Sequence, residues 1–249
     1  MIVKSNKSPL SGKEQLLKDH RGRKFVIGFP QQYMSSGSLD IYIASSEHSS
    51  ANITTEGYFE SFPLEPNEVT HVSLPKRLLM SYGIEKKGIL IESDSDIAVY
   101  GLNQVRRTTD AFLALPTDIL GTLYLAIGSE SSYDIGSQYK NILSVIGTED
   151  NTTLTITPTT LLIIGKNKYA QREYHQFHEP LTVTMNALET YTVRSLGDIT
   201  GSLIESDKPV SVISGHECAY VPDPIRYCDH LIEQVQLLTY YVLVRFHIL

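Results

Sequence analysis

Two seven-residue stretches decide the fold: residues 88–94 read GILIESD, and residues 201–207 read GSLIESD. Six of the seven positions agree, and a β-branched run follows each stretch, at 97–99 and at 210–212. Self-similarity over so long a period indicates that one structural unit occurs twice.

The repeat extends beyond these stretches, because short apolar and β-branched runs follow one another in the same order in both halves. The first half has IYI at 41–43, NIT at 52–54 and EVTHV at 68–72, and the second has LSV at 143–145, LTI at 154–156 and ETYTV at 189–193. We therefore predict an irregular lead over 1–21, a first β unit over 22–116 and a second β unit over 117–249.

The predicted fold class is all-β, with two tandem antiparallel β-sandwich-like repeats packed together and few or no helices. Runs rich in Ile, Val, Thr and Tyr alternate with clusters of Gly, Pro, Asn, Asp and Ser, which is the pattern of short strands and turns. No flexible linker occurs near Pro116, so we expect the units to pack rigidly. We also predict a short helix over 13–18, and turns at Ser93-Asp94 and Ser206-Asp207.

The charge argues against a nucleic-acid partner, and the hydropathy argues against a membrane-spanning segment. The net charge of −7 and the scattered basic residues argue against a nucleic-acid binder. The start of the chain lacks the apolar run of a secretory signal. Residues 235–249 are apolar but too short to span a bilayer, so we predict a buried strand there or a truncated, atypical tail.

The only two cysteines lie in residues 215–230, GHECAYVPDPIRYCDH, each with a histidine two residues away. Spacing alone leaves three interpretations open. Cys218 and Cys228 could form a disulfide, they could bind zinc with His216 and His230, or they could remain free thiols.

Other candidate sites are weaker. Acidic residues Glu92, Asp94 and Asp96 have the spacing of calcium ligands, but the second copy has Pro209 in place of the third acid, which favours a turn. His175 and His178 have the spacing of half a metal site without a recognisable partner. The sequence contains no local catalytic motif. Sequons begin at Asn6, Asn52 and Asn151, and the last two are the candidate glycosylation sites.

The order of six segments resembles the N-terminal domain of the IgG-Fc-binding protein family. These segments are RGRKFVIGFP at 21–30, LDIYIASSEHSSANITT at 39–55, ESDSDIAVYGLN at 92–103, DAFLALPTDILGTLY at 110–124, ESDKPVSVISGHECAYVP at 205–222 and CDHLIEQ at 228–234. The resemblance implies a secreted, mucus- or adhesion-associated protein without enzymatic activity. An extracellular home favours a Cys218–Cys228 disulfide, because thiols oxidise there. It also implies that this chain, lacking a signal peptide, is a fragment.

The leading hypothesis is a non-catalytic extracellular binding or adhesion module that recognises a protein or glycan partner without a cofactor or metal. Its candidate contact residues are loop tyrosines, which could equally pack at sandwich edges: Tyr133, Tyr139, Tyr220 and Tyr227. The alternative is a hydrolase or metal-dependent enzyme with a site between the two units. Its candidate residues are His175, His178, Glu205 and Asp207.

Overall fold

The computed structural model describes residues 19–33, 37–130, 139–166, 169–221 and 227–238. Their regular structure consists of strands and two 3₁₀ turns, Lys76–Leu78 and Thr117–Ile119, which confirms the predicted all-β class. The first strands are β1 (Gly22–Ile27), β2 (Phe29–Pro30), β3 (Gly37–Ser45), β4 (Ser49–Thr55), β5 (Tyr58–Leu64), β6 (Val69–Leu74), β7 (Leu79–Met80), β8 (Gly83–Glu85), β9 (Ile89–Val105) and β10 (Thr109–Leu113). The others are β11 (Gly121–Leu125), β12 (Asn141–Gly147), β13 (Thr152–Thr157), β14 (Leu162–Lys166), β15 (Arg172–His175), β16 (Leu181–Met185), β17 (Thr190–Ser195), β18 (Leu203–Ala219) and β19 (Asp229–Gln234).

The two large sheets have the same strand order, as the repeat predicts. The first sheet runs β5-β4-β9-β3-β6, with β1 and β10 also on β9. The second runs β16-β13-β18-β12-β17, with β11 and β19 also on β18. Each sheet is therefore organised around one long central strand. The second sheet alone carries an inserted hairpin, β14–β15, beyond β17.

The repeat also holds residue by residue. Phe25 on β1 faces Ile91 of the first GxLIESD stretch, and Tyr124 on β11 faces Ile204 of the second. Both pairings then slip at the same place, between Gly22 and Lys24 in one sheet and between residues 121 and 123 in the other.

The predicted turns at Ser93-Asp94 and Ser206-Asp207 are wrong. Both dipeptides lie inside continuous strands, β9 and β18, at the positions where the register slips. Short polar side chains still bond to backbone there. The Ser93 hydroxyl donates to the Ser50 carbonyl at 2.9 Å, and that of Ser206 donates to the Lys208 carbonyl at 2.7 Å. Such bonds stabilise a bulge, which bends a strand without ending it.

Two hydrophobic cores lie on opposite faces of the second sheet. Leu143 and Val145 of β12 belong to the second core, whereas Ile146 belongs to the first. Ile213 and Ile232, on β18 and β19, also enter the first core. Because side chains alternate along a strand, β12 supplies both cores and is buried along its whole length.

Several contacts cross between the halves. Strand β8 of the first half pairs with β17 of the second sheet. The Asp110 carboxylate on β10 accepts from the Ile232 N–H at 2.8 Å, and the Gln234 side chain accepts from the Leu115 N–H at 2.9 Å. The unit boundaries at 22–116 and 117–249 stay predictions.

Two predictions reach residues that the structure does not describe. The short helix over 13–18 lies outside the described residues. Of the predicted tail strand, Val235 is buried in the second core but follows the end of β19, Leu238 is not in a strand, and residues 239–249 lie outside the described residues.

Candidate binding cleft between the two sheets

A polar cleft of about 330 Å³ opens where the two halves meet. The first half contributes residues that follow β2 and β7, which are Gln31, Gln32, Tyr33, Ser81 and Tyr82. The second half contributes Tyr139, Lys140, Lys166, Arg172, Arg194 and Glu217, from β17, β18, the β14–β15 hairpin and the approach to β12.

The floor of the cleft is a buried ionic cluster centred on Glu217, a residue that is 4% exposed. Arg194, also 4% exposed, donates from Nη1 to Glu217 Oε1. Lys140 Nζ lies 3.3 Å from Glu217 Oε2. Because each carboxylate oxygen has a cationic partner, the buried charge of Glu217 is compensated.

One edge of the Arg194 guanidinium is unpaired. The Tyr82 ring lies against its face, with the guanidinium carbon 4.5 Å from the ring centroid. Nε and Nη2 are buried and have no hydrogen-bond partner among the described residues. These two N–H groups lie side by side on the edge of the guanidinium opposite Cδ, which is the edge that pairs with a carboxylate through two parallel bonds.

Aromatic side chains form part of the cleft wall. The rings of Tyr33 and Tyr139 meet edge to face with centroids 5.3 Å apart. Burial raises the pKa of Tyr82, and the charge of Arg194 only partly offsets that effect. Burial also raises the pKa of Tyr139. Both phenols therefore remain neutral hydrogen-bonding groups near neutral pH.

The cysteines of the 215–230 stretch form a disulfide with Cα atoms 5.1 Å apart. It joins the end of β18 to the start of β19. Of the zinc candidates, His216 accepts from the Cys218 N–H at 3.1 Å through Nδ1. His230 Nδ1 donates to the His216 carbonyl at 2.9 Å. The thiol groups are therefore consumed, and both imidazoles bond to backbone.

The residues of the enzyme hypothesis do not come together. His175 lies on β15 and contacts the Glu179 carbonyl at 2.8 Å, whereas Glu205 lies on β18, four strand positions away in the sheet. Four spacings amount to about 19 Å along the sheet. Asp207 accepts from the Thr153 N–H at 2.7 Å. The described residues include no group of three or more His, Cys, Asp or Glu that could hold a metal ion.

The three acids of the first repeat have separate partners. Glu92 lies 3.5 Å from the Lys24 ammonium, and Asp96 accepts from the Arg23 guanidinium at 3.0 Å. Asp94 accepts from the Ser50 hydroxyl. The carboxylates bind different neighbours along the bulge and do not converge on a common point.

Sequence reasoning missed a Ser-His-Asp cluster on the outer face of the first sheet. Asp40 Oδ1 lies 2.9 Å from His71 Nε2 and accepts from the Ser73 hydroxyl at 2.6 Å. Burial raises the pKa of Asp40, but hydrogen bonds from Ser38, Ser73 and His71 outweigh it and leave that pKa lowered. A nucleophilic relay needs the imidazole between serine and carboxylate, with one ring nitrogen for each. Here the serine proton goes to the carboxylate, so the cluster is a local network.

The two candidate glycosylation sites differ in setting. Asn151 is exposed in the turn between β12 and β13, with φ of 55°. Asn52 is half-buried on β4 and pairs with Ser61 on one side and Glu92 on the other. Asn151 is therefore the more accessible acceptor. Asn6 lies outside the described residues.

The four tyrosines predicted as contact residues lie in different settings. Tyr139 lines the cleft, Tyr220 is half-buried and Tyr227 is exposed, whereas Tyr133 lies outside the described residues. Further exposed aromatics lie on and beside the inserted hairpin: Tyr169 at 72%, Tyr174 at 49% and Phe177 at 54%. The sequence predicted neither this group nor the cleft. Only the REYHQFHEP stretch, noted for its histidines, pointed to the hairpin.

Comparisons with known proteins agree with the predicted resemblance. The structure contains two large β-sheets and a disulfide, and a family model described as IgGFc binding protein matches residues 110–241, more than half of the chain. The chain belongs to the IgGFc-binding protein family. It is 24% identical to the human IgGFc-binding protein over 230 residues, a match that covers 88% of this chain and 4% of that relative. In the described part of the chain, no helix has the length and apolar character needed to cross a membrane.

Proposed function

We propose that this chain is a non-catalytic extracellular module that binds a protein or glycan partner. The observation that carries the proposal is the inserted β14–β15 hairpin with its exposed aromatic side chains. The hairpin is inserted between β13 and β16, whose equivalents in the first sheet, β4 and β5, are joined by a turn of two residues, Glu56 and Gly57. The repeated fold therefore does not require the hairpin.

The hairpin has the composition of a contact surface. Tyrosine, phenylalanine and arginine are enriched in the centres of protein interfaces. Tyr174 and Arg172 occupy alternate positions of β15, so their side chains lie on the same face, and Arg172 also lines the cleft. The aromatic surface and the cleft are thus continuous.

Two further observations support an extracellular role. Cys218 and Cys228 form a disulfide, and disulfides persist in oxidising compartments. The human relative is named for binding IgG Fc, which makes Fc one partner to test.

The test is a binding screen of the purified, oxidised chain against immobilised glycans and proteins, with IgG Fc among the proteins. A hairpin variant, Tyr174→Ser with Phe177→Ser, is compared with Phe59→Ser, which removes an aromatic side chain that is 66% exposed on β5. We expect the hairpin variant to lose the selected partner and Phe59→Ser to keep it. Equal binding by both variants would contradict the assignment to the hairpin. Time-dependent breakdown of an immobilised ligand would contradict the non-catalytic role.

A further inference from the structure

We propose that the cleft binds the carboxylate of an acidic sugar, which pairs with the Nε and Nη2 groups of Arg194. The inference rests on the proposed binding function and specifies its ligand. Because buried polar groups in proteins nearly always have partners, an arginine with two buried, unpaired donors calls for an explanation.

The surroundings of Arg194 hold the guanidinium in one plane. Glu217 binds Nη1, and the Tyr82 ring lies against one face. The remaining edge presents two parallel N–H donors, a geometry that a carboxylate matches with its two oxygens. Glu217 does not compete for this edge, because it binds Nη1 on the opposite side.

The charge of the cleft favours an anion. Among the described residues that line it, four are basic, Lys140, Lys166, Arg172 and Arg194, and one, Glu217, is acidic. This basic group stands out in a chain whose net charge is −7. Lys166 and Arg172 are exposed on the hairpin at the mouth, where they would attract an anion before it reaches the floor.

The remaining lining favours a sugar over an acidic peptide. Beside the charged groups, the described lining consists of tyrosines, glutamines and a serine, without an aliphatic side chain. Amides and hydroxyls match the hydroxyl groups of a sugar, and tyrosine faces match its C–H surfaces. The volume of about 330 Å³ is at the lower end for ligand pockets and suits a single monosaccharide.

Access requires a local change. The Nε and Nη2 atoms are closed to solvent in this structure, so a ligand reaches them only when neighbouring side chains move aside. We therefore expect binding to alter the environment of Tyr82 and of the hairpin.

The test is calorimetric titration of the oxidised chain with matched probes. The methyl glycosides of glucuronic acid and N-acetylneuraminic acid are the acidic sugars. Methyl glucoside replaces the glucuronate carboxylate by a neutral group. Acetate and N-acetyl-aspartate present the same charge without the sugar.

Three variants locate the site. Arg194→Lys keeps the charge but loses the paired donors, and we expect it to weaken acidic-sugar binding about tenfold or more. Lys166→Gln with Arg172→Gln removes two exposed cations at the mouth of the cleft. This double variant should weaken binding without disturbing the buried cluster around Glu217. It therefore tests the site even if Arg194→Lys misfolds. Arg23→Gln with Lys24→Gln removes two exposed charges outside the cleft and should leave affinity unchanged.

Binding of the acidic sugars but not methyl glucoside, weakened by the cleft variants alone, supports the proposal. Equal affinity for acetate or N-acetyl-aspartate would overturn the sugar assignment. If no acidic sugar binds, or if all variants retain binding, the assignment of an acidic-sugar site to the cleft is wrong. If the screened partner still binds Lys166→Gln/Arg172→Gln with unchanged affinity, the binding module stands and this site assignment alone fails.

Discussion

Replacing Tyr124 by phenylalanine removes one buried hydroxyl that joins β11 to β18. Tyr124 is fully buried. Its hydroxyl accepts from the Gly121 N–H at 2.7 Å and donates to the Val210 carbonyl at 2.8 Å. Gly121 and Val210 are themselves paired residues of the two strands, at the point where the register slips.

The expected loss follows from these two bonds. Each buried hydrogen bond contributes about 0.5–1.5 kcal/mol net, so Tyr124→Phe should lower the free energy of unfolding by about 1–3 kcal/mol. For a chain of this size, about 2 kcal/mol corresponds to a fall in melting temperature of about 4–8 °C. The ring itself should remain in place, because Phe25 occupies the equivalent position in the first sheet.

Equilibrium unfolding in urea at pH 7, with the disulfide intact, measures this difference. The control is Tyr227→Phe, which removes a hydroxyl from a side chain that is 86% exposed and should change the unfolding free energy by less than about 0.5 kcal/mol. A loss for Tyr124→Phe no larger than that of this control would show that the two backbone groups bond adequately without the hydroxyl.

Alkaline titration gives a second check on the same residue. Burial raises the pKa of Tyr124 to about 12, against the opposing effect of the Gly121 N–H bond. The unfolded chain releases this proton near pH 10, whereas the folded chain retains it until about pH 12. The contribution of Tyr124 to the free energy of unfolding is therefore complete below pH 10 and declines by about 1.4 kcal/mol per pH unit above pH 10. The stability difference between the chain and Tyr124→Phe should narrow over that interval.

Four further outcomes are expected. Replacing Cys218 and Cys228 by serine should cost about 2.7 kcal/mol of unfolding free energy in urea, the chain-entropy value for closing a loop with a sequence separation of 10 residues; an unchanged urea midpoint would contradict it. Glu217→Gln leaves two buried cations with weaker compensation and should cost about 3–5 kcal/mol by the same assay, whereas a loss below 1 kcal/mol would show the cluster to be solvated. Burial lowers the pKa of His230, so its contribution to the free energy of unfolding is complete above pH 6.5 and should decline by up to about 1.4 kcal/mol per pH unit below pH 6.5. His230→Asn should flatten this pH dependence, and identical pH profiles of the two chains would contradict the expected role of His230. Asn151→Gln should remove one N-glycan from the secreted chain in intact-mass measurements, and an unchanged mass would show that the site is unoccupied.

The sequence was most informative where a strand pattern occurred twice. Residues 41–43 and 143–145 were predicted as equivalent, and both lie at matching positions beside the central strands β9 and β18. The Ser93-Asp94 turn was wrong because serine and aspartate bond to nearby backbone in bulges as well as in turns. Local composition cannot separate the two when the strand continues beyond them.

The cleft could not be predicted because its residues are distant in the chain. Tyr82 lies in the connection before β8, whereas Arg194 and Glu217 lie on β17 and β18, and the pairing of β8 with β17 brings the three together. Each residue taken singly is an ordinary loop or strand residue. The hairpin aromatics were equally hidden, since an aromatic side chain in a short strand predicts burial unless the neighbouring strands are known.

The way the second sheet serves both cores also determines when the first unit can become stable during synthesis. Strands β1, β3 and β4 leave the ribosome early, but the side chains of Ile146, Ile213 and Ile232 that complete their core come from much later in the chain. Contacts of such large sequence separation form slowly, because a long segment must be ordered before they are made. The core of the first half therefore stays incompletely covered until these later residues have been synthesised. Although the sequence duplicates one unit, the core of the earlier copy is complete only when strands of the later copy have been made and packed against it.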